Sequence, residues 1–411
     1  MKNKIWLLLI VVLQTSAVFS QSISSSPYSI YGLGTLYDSN FGPLSAIGSS
    51  GIAMPSESFI NNRNPASLSF IKRNSFLFDI GGKGILSVYA DNSLRETKNN
   101  FQFSHIAFAF PLTETSGISL SLQPYSSANY QIVNYELPIQ DSDESYFLNA
   151  FGTGGLNNFD ASYGFKAGKM TSFGVTASFL FGNIEDDRYY GIGNSVTNIN
   201  KNSDYKGFRF TLGNQYAIDS TLTLGATIKI PSQIQATKTE TVITENNYGS
   251  QTTETNVRSD VDPYYLPLEV GIGFKKNIGK GVNITFDYER AFWNTSNQSP
   301  LYGNYSNQDK FGLGFTLQKK GRINSYFDRI QYYAGVNYDT GFLEVDGEKV
   351  NNSAVSVGFG LPLDQTRSFI NISYSYGQKG KITSDLIKEN YHKLGINLSL
   401  EGIWFVKRKY D

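Results

Sequence analysis

Residues 282–289 read Val-Asn-Ile-Thr-Phe-Asp-Tyr-Glu, so apolar and polar side chains alternate without a break. A period of two is typical of a β-strand with one apolar face and one polar face. The same pattern returns from about residue 75 to residue 406, with polar or turn-forming residues between the copies. A long series of such strands in an exported chain favours a β-barrel whose outer face contacts lipid.

The composition excludes several classes of protein. The chain has 411 residues with 40% hydrophobic content, and its apolar N-terminal run is shorter than the about 20 residues that a transmembrane helix needs. Lys+Arg and Asp+Glu number 35 each, so we expect no nucleic-acid partner. The absence of cysteine excludes disulfides, thiolate metal sites and a lipoprotein anchor.

Residues 1–20 have the pattern of a secretory signal. Lys2 and Lys4 form a charged start, an apolar run follows over 5–13, and a cleavage site after Ser20 would leave Gln21 as the mature N-terminus. The alternative to a cleaved signal peptide is that residues 1–20 remain as an uncleaved membrane anchor. The signal and the strands together predict a location in the bacterial outer membrane, in contact with its lipid.

Residues 21–74 are rich in Ser, Gly, Asn and Pro and lack the alternation. We expect them to form a plug inside the lumen, with a periplasmic lead-in as the alternative. Pro65 after Asn64 predicts a short helix over 64–68, with Asn64 as its N-cap. Residues 75–411 are then the transmembrane barrel.

About fourteen strands are predicted in this second part, and an even number places both termini on the periplasmic side. Their ranges are 75–90, 101–111, 116–130, 157–168, 173–182, 205–218, 220–231, 264–276, 280–292, 308–319, 328–339, 352–363, 367–377 and 390–406. The sequence therefore predicts an all-β fold, a 14-stranded antiparallel transmembrane β-barrel with an N-terminal plug.

The connections between these strands support the count. Short turns alternate with longer segments, as expected for short periplasmic turns and long outer loops. The predicted long outer loops cover about 131–156, 183–204, 232–263 and 293–307.

The strand phase also predicts which side chains face the lumen. A charge on the lipid face near the middle of the bilayer costs about 2–4 kcal/mol. Five charged residues fall on the polar phase and are expected to face inward: Lys229, Glu269, Lys275, Asp287 and Glu289.

Pairs of glycines recur on the same inward phase, where their missing side chains would leave space for the plug backbone or relieve strain as the wall curves. They are Gly271 and Gly273, Gly312 and Gly314, and Gly358 and Gly360.

No motif predicts an enzyme, a metal site or a cofactor. His105 and His392 lack a recognisable nucleophile and orienting partner, so we expect structural or lumenal roles for both. The acids at 141–144 and 185–187 could attract calcium, but solvated surface charge is the preferred interpretation. Trp404 and Phe405, followed by basic residues, indicate an anchor at the membrane interface.

Three features resemble the FadL family of outer-membrane transporters: the fourteen strands, the plug, and Asn64-Pro65-Ala66 just before the first strand. The opening SSPYSIYGLGTL and the ending GIWFVKRKY are more similar to FadL-like (OmpP1/FadL/PorV-type) barrels of the Bacteroidota, a group that includes PorV, a subunit of a secretion system. The resemblance implies a plug that closes the channel and a hydrophobic ligand path through the wall. It makes Asn64, Pro65 and Ala66 the plug and gating candidates.

Two functions follow as alternatives. The first is passive transport of a small, hydrophobic solute. The second is a non-transporting scaffold whose partners are other outer-membrane or periplasmic proteins, in a secretion or barrel-assembly machine; polar, tyrosine-rich loops suit protein contact. The lumen distinguishes them, because a transporter needs a continuous apolar pocket whereas a scaffold can be filled by polar, hydrogen-bonded groups.

Overall fold

The computed structural model describes residues 26–38, 40–139, 141–246, 249–299, 302–319, 325–363, 367–383 and 386–403. Within these ranges no helix is both long and apolar enough to cross a membrane. The predicted signal at 1–20 and the predicted anchor at Trp404 and Phe405 lie outside the described residues.

The described chain forms a closed antiparallel barrel of seventeen strand segments. Three strands are each interrupted once, so the wall has fourteen strands and the prediction is confirmed. The strands are β1 Ser75–Ala90, β2 Arg95–Pro111, β3 Ser116–Pro124 and Tyr130–Pro138, β4 Ser145–Lys166, β5 Thr171–Ile192, β6 Ser195–Ala217, β7 Leu222–Lys229 and Ser232–Asn246, β8 Gly249–Leu266 and Glu269–Gly279, β9 Val282–Ala291, β10 Gln308–Gln318, β11 Gln331–Asp339, β12 Asn352–Pro362, β13 Phe369–Lys379 and β14 Lys388–Ile403.

The last strand pairs with the first, from Ser75 opposite Ile403 to Ala90 opposite Lys388, which closes the wall. The alternation sorts the side chains as expected. Phe208 and Ile272 are more than half exposed on the outside, while Thr285 and Asp287 are almost completely buried on the inside. Closure leaves few strand edges, and it pairs the backbone polar groups that a bilayer cannot satisfy.

Three of the predicted outer loops are wrong, because 131–156, 183–204 and 232–263 consist mostly of strand. β4, β5 and β6 have 22, 22 and 23 residues, whereas about 9–11 residues suffice to cross a bilayer. The strands therefore continue beyond the membrane as a mainly polar sheet, which we call the strand extension; it consists of the strand residues within 131–156, 183–204 and 232–263. Its sequence is mainly polar on both strand phases, so it carries no regular apolar alternation that the sequence could reveal.

The fourth predicted loop, 293–307, is largely irregular. Its described part contains a short 3₁₀ helix, Trp293–Thr295, and the two-residue strand Asn304–Tyr305. That strand pairs with Leu343–Val345, which pairs in turn with Glu348–Lys349. This small sheet lies at the end of the barrel where β9 and β11 finish.

The described residues between 26 and 74, here called the N-terminal segment, pack against inward-facing residues of the barrel wall. They contain three short 3₁₀ helices, Pro27–Ile30, Gly42–Ala46 and Pro65–Phe70. Phe41 and Ile47 are fully buried, and the backbone at Gly48 approaches inward-facing glycines of β10 and β11. The short helix predicted at 64–68 is confirmed, with Asn64 as its cap.

The wall is incomplete between β2 and β3. β3 pairs with β2 over Ile106–Pro111, but after Pro124 it bends away and its outer half pairs with β4. Along Arg95–His105, β2 has pairing partners on β1 alone among the described residues. We call this opening the wall gap.

The N-terminal segment occupies the base of the wall gap. Thr35–Leu36 pairs antiparallel with Ser126–Ser127, which lies within the interruption of β3. The Tyr37 amide donates to the carbonyl of Tyr125 at 2.9 Å, and Gln102 of β2 donates to the Tyr37 hydroxyl at 2.7 Å. Residues 35–37 therefore bridge the two strands that part here.

Candidate functional site in the barrel lumen

The side chain of Asn64 is completely buried against the wall. Its carbonyl oxygen accepts from the amide of Ala66 at 3.0 Å. Its amide group donates to the carbonyls of Ile52 at 2.8 Å and Asn214 at 2.9 Å. The predicted Asn64-Pro65-Ala66 site is therefore a junction between two parts of the N-terminal segment and β6.

Two acidic side chains of β9 hold the same segment from the other side. The Asp287 carboxylate accepts from the amides of Gly51 at 2.6 Å and Ile52 at 2.9 Å. Glu289 forms an ion pair with Arg63, and both side chains are 13% exposed. Because these bonds are charge-assisted and shielded from water, they fix the segment more firmly than surface contacts would.

A second charged group lies nearer the strand extension. Glu269 of β8 bonds to Arg209 of β6 at 2.9 Å and to Lys229 of β7 at 2.8 Å. Lys275 occupies the same phase of β8 and is half-buried. The five charged residues predicted to face inward thus lie on the inward phase of their strands.

His105 belongs to a buried network at the seam where the barrel closes. Its Nε2 lies 2.7 Å from the Asp79 carboxylate of β1, and its ring stacks on Phe41 with centroids 3.7 Å apart. Ser399 of β14 donates to the same carboxylate at 2.8 Å, and Asn397 of β14 also bonds to it. The network joins the first strand, the second, the last and the N-terminal segment.

His392 lies on the outward face of β14, beside the rings of Tyr374 and Tyr376. The Tyr374 hydroxyl is 2.7 Å from its Nδ1. Both histidines therefore have neighbours that explain their positions by packing and hydrogen bonding.

A cavity of about 330 Å³ occupies the part of the lumen that the N-terminal segment leaves open. Seven tyrosines line it, with six cationic and four acidic side chains. The cations are Lys83, Arg209, Lys229, Lys310, Lys379 and Lys393; the acids are Asp38, Glu269, Asp339 and Glu389. We call this space the lumen cavity; its lining mixes charged and apolar side chains, and it carries an excess of positive charge.

Asp38 of the N-terminal segment bonds to Lys310 of β10 at 3.2 Å across the lumen cavity. The ammonium of Lys310 holds the pKa of the Asp38 carboxyl well below its usual range. At neutral pH the carboxylate therefore stays charged and paired with this lysine.

An aromatic cluster forms one wall of the lumen cavity. Trp293 and Phe342 stack with centroids 4.6 Å apart, and Tyr305 packs edge-on against both. Leu33 of the N-terminal segment and Tyr264 of β8 belong to the same buried core. The loops after β9 and β11 are therefore fastened to the N-terminal segment by apolar packing.

Sequence reasoning missed the four lysines Lys83, Lys310, Lys379 and Lys393, and it missed the partners of His105. All four lysines lie on the inward phase of their strands, so the alternation could have identified them. That they converge on one cavity depends on barrel register and on the path of the N-terminal segment, which no local pattern encodes.

Of the acids that could have attracted calcium, those at 185–187 have protein partners. Asp186 accepts from Tyr130 at 2.7 Å and pairs with Arg188 at 2.8 Å. Asn200 donates to Glu185 and to Asp187. Across the described ranges, no group of three or more acidic or histidine side chains is placed to hold a metal ion.

The fold is shared with solved outer-membrane channels. The Pseudomonas putida toluene transporter TodX superposes with a TM-score of 0.64 at 14% identity, covering 90% of this chain and 100% of that one. The Ralstonia pickettii toluene transporter TbuX gives 0.62 at 14% identity over 88% and 98%. A Pseudomonas aeruginosa FadL homologue gives 0.62 at 10% identity over 90% and 99%. These likenesses establish a FadL-type barrel; the three proteins are described as transporters or as a FadL homologue, not as enzymes.

No curated protein matches the chain significantly in sequence. A family model does match, and it does so along the full length, residues 1–411. The family is described as BamG. The chain belongs to the BamG family.

Proposed function

We propose that this barrel is a non-transporting partner subunit of a larger outer-membrane assembly for protein secretion or barrel assembly. In this proposal residues 1–20 are a signal peptide that is removed on export, residues 21–74 are a permanent plug, and residues 75–411 are the transmembrane barrel. Its partners are proteins of the outer membrane or periplasm, and its surroundings are membrane lipid.

The character of the lumen carries the proposal. A channel for an apolar solute needs a continuous apolar path, but in the lumen cavity ten charged side chains interrupt the apolar part of the lining. Below it the N-terminal segment is bonded to the wall through Asn64, Arg63 and the carboxylate of Asp287. Moving the segment would leave buried polar groups unpaired, at about 1–3 kcal/mol for each group.

The strand extension supplies a surface for partners. It is a broad, polar sheet formed by β3–β8 outside the membrane-crossing length, and membership of the BamG family favours protein partners. A rigid, hydrogen-bonded sheet can bind a partner with less loss of conformational freedom than mobile loops.

A pulldown tests this proposal. The tagged chain is purified from its native outer membrane in mild detergent, and co-purifying proteins and lipids are identified by mass spectrometry. We expect other envelope proteins in stoichiometric amounts. A lone barrel carrying an apolar small molecule would contradict the proposal and support transport.

A shortened hairpin shows whether the strand extension makes the contact. Asp187 of β5 lies opposite Asn200 of β6, so replacing residues 188–199 by a two-residue Asn-Gly turn preserves the register. We expect this variant to insert normally and to lose its partners. The control is Lys276→Gln with Lys280→Gln, two changes at the opposite end of the barrel, among the last residues of β8 and in the turn that follows it.

Transport of a small solute is the second candidate, and the wall gap favours it. Gln102, Tyr125 and Ser127 line both the gap and the lumen cavity, so a solute in the cavity would be next to a break in the wall. The charged and aromatic side chains of the lining favour a polar or aromatic solute over an aliphatic one. Uptake by whole cells, compared with and without the protein, tests this candidate.

A further inference from the structure

We propose that the lumen cavity binds a phosphate group between Lys83 of β1 and Lys393 of β14. This inference is independent of the proposed function, because a bound phosphate group is compatible with a closed subunit and with a channel. It rests on charge, register and cavity size.

Lys83 and Lys393 are the cations of the cavity with the least negative charge nearby, since among the described acids Asp38 alone acts on them. Arg209 and Lys229 share Glu269, and Lys310 bonds to Asp38. Lys379 lies opposite Glu389 in the register of β13 and β14. Within the described part of the chain, no carboxylate forms an ion pair with Lys83 or Lys393. Asp38 is the acid that attracts both lysines, but its own ion pair is with Lys310.

The two lysines face the same space. Gly395 lies opposite Lys83, and Ile85 lies opposite Lys393, so the lysines are diagonal neighbours across the β1–β14 pair. Diagonal neighbours are about 7–8 Å apart, within reach of long side chains. Lys83 also lies over the ring of Tyr37, with its Nζ 4.6 Å from the centroid.

Two cations held side by side in a closed barrel repel each other, and burial removes part of the water that would screen them. An anion between them would remove this cost and gain charge-assisted hydrogen bonds. A phosphate monoester carries between one and a half and two negative charges near pH 7, with three acceptor oxygens. It therefore matches the charge of the two uncompensated lysines better than a single carboxylate does.

The cavity has suitable size and access. Its volume of about 330 Å³ lies at the lower end of the range of small-molecule sites, about 300–1,000 Å³. Tyrosines supply further hydroxyl groups around it. Ile85 of β1 and Gln102 of β2 are part of the lining, so the site adjoins the wall gap, and a lipid headgroup could enter sideways as readily as a free phosphate could enter from solvent.

The experiment uses the full mature chain in a zwitterionic detergent that carries no phosphate. Binding of inorganic phosphate and of dihexanoyl phosphatidic acid is measured by calorimetry at constant ionic strength. Saturation of either probe supports the site, and the probe that binds identifies the source: inorganic phosphate indicates a free anion, and the lipid alone indicates a headgroup. If neither probe binds, the proposal is overturned.

Variants locate the site. Lys83→Gln with Lys393→Gln should weaken binding by at least about tenfold, which is 1.4 kcal/mol. Lys83→Arg with Lys393→Arg, which keeps both charges, should retain binding. Lys276→Gln with Lys280→Gln, which removes two charges elsewhere, should leave it unchanged.

Thermal stability separates this role from a purely structural one. Without phosphate the double glutamine variant should unfold at the same temperature as the wild type or higher, because like-charge repulsion is gone. Phosphate should then raise the unfolding temperature of the wild type and not that of the variant. Equal stabilisation of both proteins would overturn the site.

Discussion

The helix-capping role of Asn64 can be predicted from the sequence, but its anchoring of the N-terminal segment to the wall cannot. Asn before Pro at the start of a helix predicts an N-cap, and the cap to Ala66 is present. The bond from its amide to Asn214 of β6 depends on the tertiary path of the segment. Local capping was therefore predictable, whereas the anchoring to the wall was not.

Asn64→Ala removes the cap and the amide that donates to the carbonyls of Ile52 and Asn214, although Ile52 still accepts from Gln215. We expect a loss of about 2–3 kcal/mol in the free energy of unfolding, the sum of a cap and a buried unpaired group. Guanidinium titration followed by tryptophan fluorescence measures it. Asn92→Ala, at an exposed site between β1 and β2, is the control and should change the midpoint little; equal effects of the two substitutions would contradict the anchoring role.

On the strands, the sequence correctly predicted that some inward-facing glycines leave space for the N-terminal segment. Gly312 lies against the carbonyl of Gly48, and Gly314 against Ser50 and the carbonyl of Ile47. Gly358 faces Ala46. These three make room for the N-terminal segment, as predicted. Gly273 and Gly360 make room instead for side chains of the wall itself, Asp287 and Tyr333.

Gly335 of β11 faces the backbone of Ile47 and Gly48, where a side chain would collide with main-chain atoms. Gly335→Val should lower the free energy of unfolding by about 1–3 kcal/mol through overpacking, even though valine favours strands. Ala334→Val, one residue away on the exposed face, is the matched control and should be neutral or stabilising. The difference between their guanidinium midpoints is the measurement, and equal midpoints would mean that the segment does not pack here.

The short strand at Thr35–Leu36 had no signal in the sequence, because two residues cannot display a period. Its pairing with Ser126–Ser127 depends on the interruption of β3, which the prediction treated as one continuous strand. Strand breaks are therefore the point at which a simple alternation loses its predictive value.

Thr35→Cys combined with Ser127→Cys tests that pairing. The two positions are register partners, and the chain has no other cysteine, so a disulfide between them should form in an oxidising compartment. Non-reducing electrophoresis after proteolysis detects it, with each single cysteine variant as control. If the protein is a subunit with a fixed plug, partner binding should survive the link; loss of uptake on oxidation would instead favour a moving plug and transport.

At the scale of the whole molecule, the strand number and phase were predictable because lipid imposes them. Each strand that crosses the bilayer needs an apolar outer face, and any charged side chain within the bilayer must point inward. Where the strands leave the membrane this constraint ends, and the strand extension appeared in the sequence as loops. The sequence thus predicted the part of the barrel in contact with lipid and missed the part in contact with water.

Because the N-terminal segment fills much of the lumen, we can predict the ion conductance of the intact barrel. In planar bilayers the wild type should show no steady conductance, because the N-terminal segment is anchored across the lumen by Arg63–Glu289 and by Asp287. Arg63→Ala with Asp287→Ala removes both anchors, so the segment should detach part of the time and produce flickering current. The control is Arg73→Ala with Glu114→Ala, an ion pair whose side chains are 70% and 73% exposed and which should contribute little. A steady open current from the wild type would contradict the closed lumen, and silence in both double variants would show that these bonds do not keep it closed.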